Sequence, residues 1–209
     1  VVTSTPASPV QDPLPLDARA RRTRESLGAA VIRLARERPL HSLSVTDLTG
    51  AAGISRPTFY LHYASPDELF ADLLRSRITA AVGPGSTVQD IEELDRRGPE
   101  ALTALLQEVE ENRPLYRSLI GAGSRLEATR EALQEWVTRQ LSRLVTQLSP
   151  LDEESSERAA LLGFLAGGTV TVLGQWLSDD AATRPGPEQL AVRLWALQRG
   201  TVSAWSTAG

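Results

Sequence analysis

Ser55, Arg56, Thr58, Tyr60 and His62 lie within eight residues, and each carries a charged or hydrogen-bonding group. Ser55 can open a short helix that tolerates Pro57 in its first turn, which would set these groups on one outward side. Such groups suit the phosphate oxygens and base edges of duplex DNA. Arg56, at the helix start, can donate two bonds to guanine O6 and N7, worth roughly 1–3 kcal/mol of discrimination. Thr58 can donate to a phosphate and turn its methyl toward a thymine methyl. Tyr60 and Tyr63 can donate phenolic hydroxyls to phosphates. Either tyrosine could equally be half-buried core, although Phe59 is the better core residue of the three. His62 reads as a DNA contact or as a solvent-facing side chain.

Other chemistry has little material to work with. The chain has two histidines and no cysteine, and all 22 of its basic residues are arginine. Disulfides, thiolate metal sites and lysine catalysis therefore drop out. There is no Gly-rich phosphate loop, no paired metal ligands and no nucleophile elbow. Acidic clusters such as Glu108-Glu110-Glu111 and Asp152-Glu153-Glu154 read as solvated helix faces or helix starts. The chain is expected to be no enzyme and to hold neither metal nor cofactor.

The elements that must position the polar residues follow from periodicity and punctuation. Leu27, Ala30, Val31, Leu34 and Ala35 repeat at one helix face, in a helix starting near Arg19 and stopped by Pro39. Ser44 and Asp47 mark a second start, with Val45, Leu48 and Ala52 inward, and Gly53 ends that helix. Ser65-Pro66-Asp67-Glu68 opens a fourth helix carrying Leu69, Phe70, Leu73, Leu74 and Ile78. The stretch 44–63 thus reads as helix, turn, helix, the geometry that lays a second helix in the major groove. Further helices are expected over 99–111, 114–121, 125–148, 153–178 and 187–206, with no strand pattern and no repeat. The fold class is all-α: an N-terminal three-helix helix-turn-helix domain and a C-terminal helical ligand-binding and dimerisation domain, about nine helices in all. The organisation is expected to be a disordered arm over 1–18, a DNA-binding domain with its linking helix over 19–82, and a second domain over 83–209 that begins with a linker to residue 98.

Composition agrees with a globular chain: 209 residues, 41% hydrophobic and 23% charged. The net charge of -4 is uneven. Residues 1–82 carry ten arginines against eight acids, whereas the remainder carries 12 against 18. A mildly basic head on an acidic body suits a DNA-binding protein. The first 17 residues lack a basic n-region and an apolar h-region, and no apolar run is read as long enough to span a bilayer. The expected location is cytoplasmic, with no membrane partner.

From about Arg21 to Leu74 the chain resembles the DNA-binding domain of the TetR family of transcriptional regulators, most specifically in GISRPTFYLHYASPDELFADLL (53–74). The resemblance implies that Thr46, Thr58, Tyr60 and Tyr63 hold phosphates, and that Ser55, Arg56, Pro57 and His62 sit against or near base edges. Ser44 at the second helix start and Arg22 on the first helix complete the candidate DNA contacts. Arg21, Arg22 and Arg24 either solubilise the first helix or reach a phosphate or minor groove. Two departures stand out. Pro66 occupies a position where many members place a phosphate-binding lysine, and Arg38-Pro39-Leu40 replaces the usual glycine after the first helix.

ENRPLYRSLIGAG (111–123) and FLAGGTVTVLGQWL (164–177) resemble the C-terminal domain of the TetR subgroup that includes dihydroxyacetone kinase regulators. That likeness implies a homodimer through the last two long helices. Small residues at Gly163, Ala166, Gly167 and Gly168 suit close backbone approach. Leu162, Leu165, Leu173, Leu177, Trp195, Val202 and Trp205 are the expected apolar partners, although they could instead pack the two helices within one chain. Tyr116, Leu119, Trp136, Phe164, Val172 and Trp176 are candidates to line an apolar effector pocket, or are ordinary core. The implied function is a repressor released from palindromic operator DNA by a small, mostly apolar effector. The alternative is a related regulator, an activator among the options, whose C-terminal domain answers to a protein partner.

Overall fold

The computed structural model describes residues 15–83, 91–149, 151–180 and 182–207. Among them are nine α-helices and no strand. They are α1 (Pro15–Leu34), α2 (Val45–Ala52), α3 (Arg56–Tyr60), α4 (Pro66–Val82), α5 (Ile91–Glu111), α6 (Arg113–Ile120), α7 (Glu127–Leu148), α8 (Ser156–Ser178) and α9 (Pro187–Thr207), with a 3-10 turn at Leu40–Ser42. The all-α expectation holds. Most of the arm expected over 1–18 lies outside the described residues, but α1 already begins at Pro15.

The head forms where local signals placed it. Ser44 caps α2 in a capping box: its hydroxyl accepts from the Asp47 N–H while the Asp47 carboxylate accepts from the Ser44 N–H. Gly53 ends α2 with φ 67°, a left-handed conformation that glycine takes without penalty. Ser55 and Ser65 cap α3 and α4, accepting from the N–H groups of Thr58 and Glu68. Leu27, Val31, Leu34, Leu48, Phe59, Phe70 and Leu74 are buried together and fix the crossing of α1 to α4. Phe59 is fully buried, and truncating such a ring to alanine costs about 3–5 kcal/mol.

Two arginines add anchors that periodicity does not announce. Arg33 of α1 donates to the Ala51 carbonyl at 2.7 Å, satisfying a carbonyl in the last turn of α2. Arg38 pairs with Asp47 at 2.5 Å, tying the chain after α1 to the first turn of α2. The Ser44 hydroxyl first, and then the Arg38 guanidinium, hold the Asp47 carboxyl well below the usual carboxylate range.

The linking helix α4 packs against α1 on one side and α5 and α7 on the other. Arg77 of α4 pairs with Glu108 of α5, which also accepts the Tyr116 hydroxyl of α6 at 3.0 Å. A second tie runs from the Leu40 N–H to Ser118 Oγ of α6 at 2.8 Å. Head and body therefore meet through named polar contacts as well as through packing.

The expected linker over 83–98 is corrected in its second half: α5 starts at Ile91 and runs through Pro99. A proline inside a helix forfeits one backbone bond. Contacts with α9 hold the preceding turns regardless, because Arg199 pairs with Asp95 at 2.5 Å and Trp195 lies against Gly98. Residues 84–90 of that linker lie outside the described residues.

At the other end of the body a clasp closes the α8–α9 connection. Arg184 makes two bonds to Glu110, at 2.5 and 2.6 Å, and Arg113 donates to the carbonyls of Trp176, Leu177 and Asp179 at the end of α8. Both guanidinium groups lie over the Trp176 ring, at 5.1 Å for Arg184 and 5.9 Å for Arg113. The Arg184 hydrogen bonds hold the Glu110 pKa below its ordinary value.

Helix α8 corrects one reading of the sequence. Residues 159–177 carry no charge, and among the described residues α8 is the one helix long and apolar enough to cross a membrane by length and composition. Half of its most apolar window is buried within the protein.

Candidate nucleic-acid interface and body cavity

Helix α3 presents an outward polar side. Ser55, Arg56 and Pro57 are exposed, Tyr60 is 52% exposed, Thr58 and His62 are half-buried, and Phe59 faces the core. The Tyr60 ring stands edge-on to Phe59 with centroids 5.5 Å apart, so the buried ring orients the exposed one. Ser55 Oγ and Thr58 Oγ1 lie 2.7 Å apart. One hydroxyl hydrogen closes that contact and the other is left to donate outward. Thr46 is exposed in the first turn of α2, beside orphan N–H groups that suit a phosphate. Arg22 is exposed on α1.

One expected contact is corrected. Tyr63 is 5% exposed, and its hydroxyl donates to Asp72 of α4 at 2.7 Å. Burial, reinforced by the Asp72 carboxylate, pushes its phenol pKa up. It is a core tyrosine that fixes the α3–α4 angle, not a free phosphate donor. The hydroxyl of Ser44 donates to Asp47 at 2.6 Å and is engaged in capping. Ser44 holds the α2 start and remains exposed there. Leu61, directly after Tyr60, is 82% exposed and joins this surface as a residue not among the expected contacts. Residue type alone does not mark it, because a leucine after Phe59 and Tyr60 fits the core as well as the surface.

Within the body, α5, α7, α8 and α9 surround a cavity of about 740 Å³. Leu102, Leu105, Trp136, Leu141, Leu144, Leu173, Leu194 and Trp195 supply much of its apolar wall. Of the six expected effector residues it uses Trp136 alone. Tyr116 and Leu119 are fully buried elsewhere, with the Tyr116 hydroxyl on Glu108. Trp176 belongs to the clasp, its indole N–H donating to the Pro185 carbonyl at 2.8 Å. Phe164 is 68% exposed, and Val172 also faces outward.

The expected dimer residues divide in the same way. Leu173 and Trp195 line the cavity, while Ala166 and Val202 are buried within the chain. Leu162 and Gly167 are half-buried and Trp205 is exposed. The physical reason is one of helix faces. Nearly every side of α8 is apolar, so residue type cannot say which side points inward. The outward side of α8 carries Gly163, Phe164, Gly168 and Val172. A Cβ added at Gly163, Gly167 or Gly168 would meet nothing within 4 Å, so packing inside the chain does not require these glycines.

A helix-turn-helix with its polar side outward, seated on an all-helical body, is the architecture of DNA-binding regulators of the helix-turn-helix type. Residues 28–73 match the family model for "Bacterial regulatory proteins, tetR family". In fold the chain is similar to a TetR-family regulator from Streptomyces coelicolor A3, at TM-score 0.55 and 17% identity over 88% of this chain and 96% of that one. It is also similar to the dihydroxyacetone kinase operon activator DhaS, at TM-score 0.54 and 17% identity over 88% and 98%. A third similar structure is NalD of Pseudomonas aeruginosa, the secondary repressor of the MexAB-OprM multidrug efflux pump, at TM-score 0.52 and 20% identity over 87% and 97%. No curated protein matches the sequence. Over residues 28–73 the head matches the TetR-family DNA-binding domain, and the chain as a whole has the fold of TetR-type transcriptional regulators.

Proposed function

We propose that the chain is a homodimeric, cytoplasmic transcriptional repressor that binds palindromic operator DNA and leaves it when a small, mostly apolar effector enters the body cavity. The observation that carries this reading is the outward side of α3, where Ser55, Arg56, Pro57 and Tyr60 stand clear of a rigid head. Arg56 reads a base with Ser55 beside it, while Tyr60 and Thr58 hold phosphates. Leu61 offers an apolar contact to a thymine methyl.

A dimer is what a palindrome requires, because two recognition helices must meet half-sites one duplex turn apart. The outward side of α8, uncharged from residue 159 to 177 and open around its glycines, supports pairing of two copies there. Effector release is supported by a mostly apolar cavity of the size of small-ligand sites. Its wall shares α5 with the Arg77–Glu108 tie to the linking helix. Ligand and operator would then be negatively coupled.

The fold neighbours carry both signs of regulation in their names, an activator and a repressor. Selection of bound sequences from a random DNA pool, followed by a reporter with the recovered site at a promoter, tests the reading. A palindromic site and lower expression support it. No enriched site, or raised expression, counts against the head reading or the repressor reading respectively.

A further inference from the structure

The body cavity carries a chemical signature beyond its size. Gln198 and Thr169 line it, at 5% and 6% exposure. Thr169 donates its hydroxyl hydrogen to the Leu165 carbonyl at 2.7 Å and accepts from the Gln198 amide at 3.0 Å. Among the described residues Gln198 makes no other side-chain hydrogen bond. The pair thus holds one amide N–H and one carbonyl oxygen on the wall of a largely apolar cavity. A buried amide left without partners costs free energy, so the wall favours an occupant that supplies both.

Charge on the wall is confined to its outer parts. Arg97 is paired with Glu93 at 3.1 Å, and Glu100 and Arg143 are exposed. Among the described residues, no buried ionised side chain lines the cavity to compensate an ionised ligand group drawn inside. Two indoles, Trp136 and Trp195, add flat faces.

Resting on the effector reading above, we infer that the cavity takes an uncharged ligand with an aromatic or aliphatic body and one carboxamide-type polar group that both accepts and donates, and that the Gln198–Thr169 pair reads that group. Specificity of this kind is steep: a site built to hydrogen-bond one polar group rejects the analogue that lacks it.

The test uses the full chain and two matched probe sets. One is 2-naphthamide, 2-ethylnaphthalene and 2-naphthoate; the other is 4-phenylbutanamide, pentylbenzene and 4-phenylbutanoate. Calorimetry and quenching of tryptophan fluorescence report binding. At least one amide should bind tenfold or more tightly than both its hydrocarbon and its carboxylate. Gln198→Leu should abolish that preference while leaving the hydrocarbon within about twofold. Thr169→Val, which frees Gln198 from its orienting bond, should lose part of it and serves if Gln198→Leu fails to fold. Amide and hydrocarbon binding alike, or the carboxylate binding best, overturns the inference and leaves the effector reading standing. No binding by any of the six, with DNA binding retained, overturns both while the DNA-binding reading survives.

Discussion

Gly98 and Trp195 are in van der Waals contact, and the contact has no room for a side chain at residue 98. A Cβ placed there would lie 2.3 Å from the Trp195 ring. The same ring lines the body cavity, so the glycine sets the distance between α5 and α9 and with it the cavity wall. Gly98→Ala should therefore push the indole aside. Overpacking costs about 1–3 kcal/mol, against about 1 kcal/mol gained from helix propensity. The net result expected is a modest loss of stability in urea melts, with a shift in tryptophan emission and weaker ligand binding.

Gly168 gives the opposite outcome in a folded single chain, since an added Cβ meets nothing there. Gly168→Ala should raise helix stability by up to about 1 kcal/mol. Phe164→Glu, on the same exposed side of α8, should keep the fold and its circular dichroism. If that side pairs two copies, sedimentation will show monomers and operator affinity will fall at least tenfold. A dimer that survives Phe164→Glu would place the interface elsewhere.

The tyrosines on either side of His62 should separate cleanly. Tyr60→Phe removes an exposed hydroxyl and should weaken binding to all DNA sequences alike, without changing stability. Tyr63→Phe breaks the bond to half-exposed Asp72 and should cost about 1 kcal/mol in thermal unfolding. Its effect on DNA affinity should be small. Arg56→Ala should relax base preference at one position in each half-site, by roughly 1–3 kcal/mol in a competition assay with variant sites.

Arg33 acts on DNA binding without touching DNA. Arg33→Ala removes the bond to the Ala51 carbonyl, so the end of α2 should fray. A loss of about 1 kcal/mol in head stability is expected. Hydrogen exchange should speed up at residues 50–53, with uniformly weaker operator binding and unchanged base preference.

The clasp should make stability fall in acid. Glu110 is held below its ordinary value of 4.5 in the folded chain by Arg184. A depressed carboxyl stabilises the fold above its unfolded value, and that contribution is lost as pH falls through the folded value. Wild-type denaturant midpoints should therefore drop as pH is lowered below about 4.5, and Glu110→Gln should flatten that slope. Equal slopes in the two proteins would remove Glu110 from the acid response.

The residues themselves determined the starts of α2, α3 and α4 and the helix-turn-helix, because their physics is short-range. Ser44 with Asp47, Ser55 with Thr58, and Ser65 with Glu68 each act across three residues, and Gly53 needs no partner to adopt its turn. The spacing of Leu27, Val31 and Leu34 is enough to define an inner face. Tertiary structure alone decided the rest. Helix α5 passes through Pro99 because Trp195 and Arg199 hold it from about a hundred residues away. Tyr63 turns inward because Asp72 is there to receive its hydroxyl. The sides of α8 that face the cavity, the core and solvent are almost equally apolar, so only the placement of α7 and α9 around it could assign Leu173 to the cavity and Phe164 to the outside.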